Sequence, residues 1–135
     1  MKYLLDTNAC VMHLRAPANS PVSNRILSVE PVDIAICSIV RAELLFGAKR
    51  SRNVSRSMME VTRFCDAFIS LPFDDDAAAE YASLRFELAL AGMPIGPNDL
   101  MIAAIALAKG LTLVTHNTAE FRRVVGLKIE DWQQA

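Results

Sequence analysis

Short apolar runs of β-type composition alternate along the chain with longer stretches whose apolar residues recur at helical spacing. The pattern predicts strands at residues 3–5 (YLL), 33–37 (DIAIC) and 111–115 (LTLVT), with further short ones at 68–73 and 127–129. Helices are predicted around residues 8–14, at 22–29, through SIVRAELLFGAKR, near 53–66, over 74–92 and from Pro97 to Gly110. In the 74–92 helix, Ala77, Tyr81, Leu84 and Leu88 form one apolar stripe, Asp74 to Asp76 favour its start and Gly92 its end. Strands separated by helices require right-handed crossovers, which cover a mainly parallel sheet on both faces. The expected fold class is therefore α/β, with three layers and a central mainly parallel β-sheet flanked by helices.

Composition narrows this picture. A chain of 135 residues is one domain by size, and it buries a core without disulfides or a structural metal. Its 53% hydrophobic content is high enough to suggest a partner over some apolar surface. Cys10, Cys37 and Cys65 have no CxxC spacing, so they suit neither a disulfide framework nor a zinc site and read as buried thiols of a cytoplasmic protein. Asp6 interrupts the first apolar run and the run over 100–108 is too short to span a bilayer, so neither a signal peptide nor a membrane segment is expected. With a net charge of −1 there is no overall positive field, and nucleic-acid binding would have to use a local patch.

Several apolar stretches stop at, or contain, a polar group. The first strand ends at Asp6, which either caps the next helix or sits at the carboxyl edge where α/β folds keep their sites. In SIVRAELLFGAKR, Glu43 shares a stripe with Ile39, Phe46 and Gly47, the one expected to be buried. There a carboxylate needs a cation or a donor, and a Glu at the rim paired with an Arg is the alternative. Asn98 and Asp99 open a helix that is apolar almost all round, with Asn98 the expected cap. The strand LTLVT runs into Thr115, His116, Asn117 and, after a turn, Glu120. In a parallel sheet Asp6, Asp99 and Asn117 fall on one rim, within reach of Glu43. Gathered carboxylates repel by about 4 kcal/mol per close pair at an effective dielectric near 20. A hard divalent cation, Mg²⁺ or Mn²⁺, relieves that repulsion, and such a site suits metal-assisted phosphodiester cleavage.

The blocks LLDTN, RAELLFGA, GPNDLMIAAIALAKG and LTLVTHNTAEF, followed by GLKIEDW, together resemble a PIN-domain ribonuclease of the VapC toxin type, in that family's order and over essentially the whole chain. The resemblance implies a PIN fold over residues 1–135 and a Mg²⁺- or Mn²⁺-dependent endoribonuclease. It also implies a homodimer and a cognate VapB-type antitoxin that blocks the site. Asp6, Glu43 and Asp99 match the family's metal-binding acids, and its fourth acid often falls where this chain has Asn117. Asn holds a water or a phosphate oxygen but adds no charge, which leaves Glu120 as the possible additional acid and the number of ions open. Thr7, Asn8 and Thr115 are candidates for positioning phosphate or water. The nearest likeness within the family is to toxins that cut initiator tRNA in the anticodon loop.

Lys49, Arg52, Arg56 and Arg63 recur at i, i+3, i+7 and i+14, with Arg50 beside them. They predict one basic helical face that tracks RNA phosphates, which Arg15 and Arg25 would extend; a solvated charged face is the plainer reading. His13 and His116 read as packing or turn residues, and Trp132 as an anchor for the C-terminal segment. A receiver domain would need an acidic pair after the first strand and a Lys near the last, and a haloacid-dehalogenase-like phosphatase would need DxD where Asn8 stands. The nearer alternatives are a PIN nuclease acting on DNA or in RNA maturation, and a PIN fold kept as a binding module, for which a neutral Asn117 speaks.

Overall fold

The structure, a computed structural model, describes residues 1–133. Strands β1 (Tyr3–Leu5), β2 (Ile34–Cys37), β3 (Ile69–Leu71), β4 (Thr112–Val114) and β5 (Ile129–Glu130) pair in parallel in the order β3-β2-β1-β4-β5. Helices α1 (Thr7–Arg15), α2 (Pro21–Ser28), α3 (Ser38–Lys49), α4 (Val54–Asp66), α5 (Asp75–Leu90), α6 (Pro97–Lys109) and α7 (Thr118–Phe121) connect and cover the strands. Leu4 and Leu5 of β1, all of β2 and Leu113 and Val114 of β4 are buried, as expected for strands covered on both faces. Ile102 to Ala106 of α6 have no exposed surface, so this helix lies in the core and carries its first turn to the edge of the sheet.

The strand order decides where a site can form. The chain leaves β1 for β2 and β3 on one side, then returns to add β4 and β5 on the other, so the switch point lies between β1 and β4. A crevice opens at the carboxyl ends of strands at such a point. Leu5 pairs with Val114, which sets Asp6 and Thr115 side by side as the first residues beyond the sheet.

Local expectations fail in three places. On α3 the buried stripe is Val40, Leu44 and Ala48, while Phe46 is 61% exposed and Glu43 half-buried beside it. The sheet chose the more continuous i, i+4, i+8 row of aliphatic residues over the row that included a carboxylate. Asn98 does not cap α6: the cap position is Gly96, with Pro97 at the first helical position, so Asn98 and Asp99 lie inside the first turn. Finally, α3 ends at Lys49 and α4 starts at Val54, with Asn53 capping through Arg56 N–H, so Lys49 and Arg56 belong to different helices.

The junction between α6 and β4 depends on Gly110, whose φ of +67° is left-handed and whose surroundings leave room for a Cβ. Gly110→Ala is therefore expected to lose about 1–2 kcal/mol through backbone strain alone, read as a lower denaturant midpoint with unchanged m-value.

Candidate active site

Asp6 follows β1 and is 3% exposed. Its Oδ1 accepts from Ala9 N–H at 2.8 Å, so it caps α1 and stands on the rim as well. Burial raises its pKa above the ordinary carboxyl value, against the opposing pull of the Thr115 hydroxyl and the Ala9 amide, and Glu43 and Asp131 push it further up. Thr115, 1% exposed, also accepts the Asn117 N–H at 3.0 Å and so fixes the turn after β4. Among the described residues Glu43 forms no ion pair with an Arg; Thr7 Oγ1 donates to its Oε1 at 2.6 Å, tying the first turn of α1 to α3. Thr7, a candidate for holding phosphate or water, thus spends its hydroxyl on orienting an acid.

Asp99 projects from the first turn of α6 into this group. Its pKa is pushed up to about 6, first by burial, then by the charges of Glu120, Asp6 and Glu43 and by a side-chain hydrogen bond with Glu120. Burial and the neighbouring carboxylates thus make a charge on Asp99 unfavourable. Asn117 lies beside the pair, with Nδ2 donating to Glu120 Oε2. Glu120, from the single turn of α7, thus lies beside Asp99 and accepts from the Asn117 amide.

The side chains named in this cluster are carboxylates, hydroxyls and an amide, whereas the three free cysteines are buried, with Cys37 pushed up to about 11 by burial. The donor set therefore fits a hard divalent cation. Among the described residues no group of three His, Cys, Asp or Glu side chains is placed so as to hold a metal ion together. Looser carboxylates suit an ion held through one or two of them that keeps several of its waters.

The basic face does not form as expected. The turn after Lys49 breaks the row, Arg50 lies over the Phe46 ring at 5.3 Å, and Arg56 pairs with Glu60 at 3.0 Å. Arg25 is engaged with Glu130 at 3.6 Å and lies 5.3 Å from the centre of the Trp132 ring, away from the row. Arg52 and Arg63 remain exposed, and Arg15 lines the cavity that contains Glu43. His13 packs at 5.4 Å from Phe64 and bonds Ser23, and Trp132 packs edge-on against Tyr3 at 5.0 Å. Asp131 was not singled out from the sequence, although it follows the strand Ile129–Glu130 as Asp6 follows Tyr3–Leu5; β5 is so short that this signal is faint.

A PIN-domain family model matches residues 3–127. The tRNA(fMet)-specific endonuclease VapC of Shigella flexneri is 38% identical over 133 residues, covering 98% of each chain. The chain belongs to the VapC family of PIN domains. Ribonuclease VapC2 of Rickettsia felis is 37% identical over 99% of this chain and 100% of its own. Among solved structures, DNA-bound VapBC from Salmonella typhimurium matches this PIN domain with a TM-score of 0.92 at 36% identity, over 98% of both chains. Rickettsia felis VapBC2 bound to a promoter DNA fragment matches with a TM-score of 0.90 at 35% identity, over 98% of this chain and 99% of its own. The five-stranded parallel sheet of this PIN domain and its covering helices are the architecture of those structures. No helix among the described residues is long and apolar enough to cross a membrane.

Proposed function

We propose that this PIN domain is the toxin of a toxin–antitoxin pair: an endoribonuclease dependent on Mg²⁺ or Mn²⁺ that hydrolyses RNA phosphodiesters, tRNA in particular, in the cytoplasm and so inhibits translation and growth. The observation that carries the reading is the gathering of Asp6, Glu43, Asp99 and Glu120 at the switch point, where burial and then the charges of the other three push Asp99 up to about 6. Such crowding is unfavourable for the free protein and is relieved by a divalent cation. The name of the Shigella relative supports tRNA as substrate, with the initiator tRNA anticodon loop the finer proposal. That several structural relatives are VapBC complexes supports a cognate VapB-type antitoxin.

A cation bound there would activate water and neutralise charge on the phosphate. Asp6, Asp99 and Glu43 are the acids that would serve it, one or two of them directly and the rest through its waters, with Glu120 close by. Thr7 keeps Glu43 aimed at the cluster, and Thr115 stabilises the Asp6 carboxylate. Asn8 and Asn117 offer amides to a phosphate oxygen or to water. Glu120, beside Asp99 and bonded by the Asn117 amide, supports a fourth carboxylate from α7 and so weighs against the binding-module alternative. Phe86 and Leu90 of α5, 65% and 73% exposed, offer apolar surface for the homodimer implied by the family resemblance.

The test is cleavage of total cellular RNA by the antitoxin-free protein, with Mg²⁺ or with EDTA, followed by mapping of the new 5′ ends. Discrete cuts in one tRNA that vanish with EDTA and in Asp6→Asn are expected. Intact RNA under both conditions, from a protein that still binds Mn²⁺, would count against the ribonuclease reading and favour DNA cleavage or a binding role.

A further inference from the structure

Beside the acid cluster lies a second cavity of about 360 Å³, at the lower end of the range for small-molecule sites. The two share a wall. Asn117, whose amide bonds Glu120 on the cluster side, also lines this cavity, as does Asn8 from the first turn of α1. Val11 and Met12 supply apolar surface from the next turn of the same helix. Arg15 stands one turn further along, at the junction with the cavity that contains Glu43.

His116 lines the same cavity and is held in one orientation. Its Nδ1 lies 3.0 Å from Asp131 Oδ2, and the Asp131 side chain is 10% exposed and also accepts Gln133 N–H at 2.9 Å. The imidazole itself is 58% exposed, so the Asp131 bond fixes the ring while leaving its face and its second nitrogen to a ligand. A turn residue that only packs would not need a nearly buried carboxylate to orient a largely exposed ring.

An aromatic ring in fixed orientation, an apolar wall, two neighbouring side-chain amides and an Arg in the lining are what recognition of a single-stranded base uses. The ring stacks, the amides supply both donors and acceptors to the base edge, and the cation meets the next phosphate. We propose that this cavity is a nucleobase subsite, which seats the base of a nucleotide flanking the phosphodiester at the acid cluster, with His116 as its stacking residue. This rests on the ribonuclease reading, which it deepens by assigning substrate selection to a pocket separate from the acids. His116 is then a specificity residue and takes no part in the chemistry.

The test uses RNA pentamers of each of the four bases, with a pentamer of abasic riboses as the reference. Their binding to Asp99→Asn protein, which keeps them uncut, is measured by fluorescence anisotropy with and without the further change His116→Ala. At least one base is expected to bind about tenfold more tightly than the abasic chain. That preference should disappear in His116→Ala while abasic binding stays the same. Equal affinity for base-containing and abasic chains, or a preference that survives His116→Ala in a protein of unchanged melting temperature, overturns the subsite. Failure of the ribonuclease reading looks different: the wild type leaves total RNA intact with Mg²⁺ present, and the base preference stands.

Discussion

Asp99→Asn is expected to lower RNA cleavage by about 10²–10³-fold and, in metal-free buffer at neutral pH, to raise the melting temperature. The two effects have one cause. Asp99 lies among Glu120, Asp6 and Glu43, and burial followed by their charges pushes its pKa up to about 6, so a charge there is unfavourable. Asn keeps the shape and removes the charge, so the repulsion goes, and with it a ligand for the cation and the stabilisation of the transition state that the cation supplies. Asp99 is half-buried, so solvent screening limits the gain to about 1 kcal/mol, or roughly 3–5 °C for a chain of this size. The pH dependence has a defined sign. A folded carboxyl with its pKa raised binds more protons than the unfolded one, so stability falls as pH rises between about 4 and 6. Asp6, also raised, acts in the same direction, whereas Asp74, lowered by the Ala77 amide and Lys109, contributes below that window. Thermal melts in EDTA across pH 4–7.5 should show the slope in the wild type and a shallower one in Asp99→Asn. Divalent cation should raise the melting temperature of the wild type only.

Glu120→Gln is expected to lower cleavage by about 10–100-fold, and Asn117→Asp should fail to compensate for it. If Asn117 were the fourth ligand position, a carboxylate there would restore a missing charge. Instead the Asn117 amide donates to Glu120, so Asp at this position removes a donor and sets a third carboxylate against Glu120 and Asp99. Asn117→Asp alone should therefore lower both activity and melting temperature. Single-turnover cleavage at several Mg²⁺ concentrations, on the four proteins of the cycle, measures the coupling. Higher activity in Asn117→Asp than in the wild type would return the fourth-acid role to residue 117.

The alternation of apolar runs and helical stripes was enough to predict the layers, because strands covered on both faces and helices covered on one leave different periodicities. Asp6, Glu43 and Asp99 were legible for a related reason: each interrupts or ends an apolar stretch, where an ionised group is costly unless something requires it. The basic row was misread because spacing of i, i+3, i+7 and i+14 has meaning only within one helix, and a turn between Lys49 and Val54 ends the count. The α3 stripe was misread because periodicity gives the width of an apolar face without saying which row meets the sheet. There Leu44 and Ala48 went in and Phe46 stayed out.

The sequence by itself determined which segments are strands, which helix is central and which carboxylates end or interrupt apolar stretches, since each follows from burial and period along a short stretch of chain. What only the tertiary structure decided was association. The order β3-β2-β1-β4-β5 puts the crevice between β1 and β4. The first turn of α6 brings Asp99 to Glu120, and Thr7 rather than an Arg meets Glu43. Asp131 fixes His116 across a gap of fifteen residues. Contacts of that kind depend on which strands become neighbours, a consequence of the whole core closing at once that no local pattern of residues records.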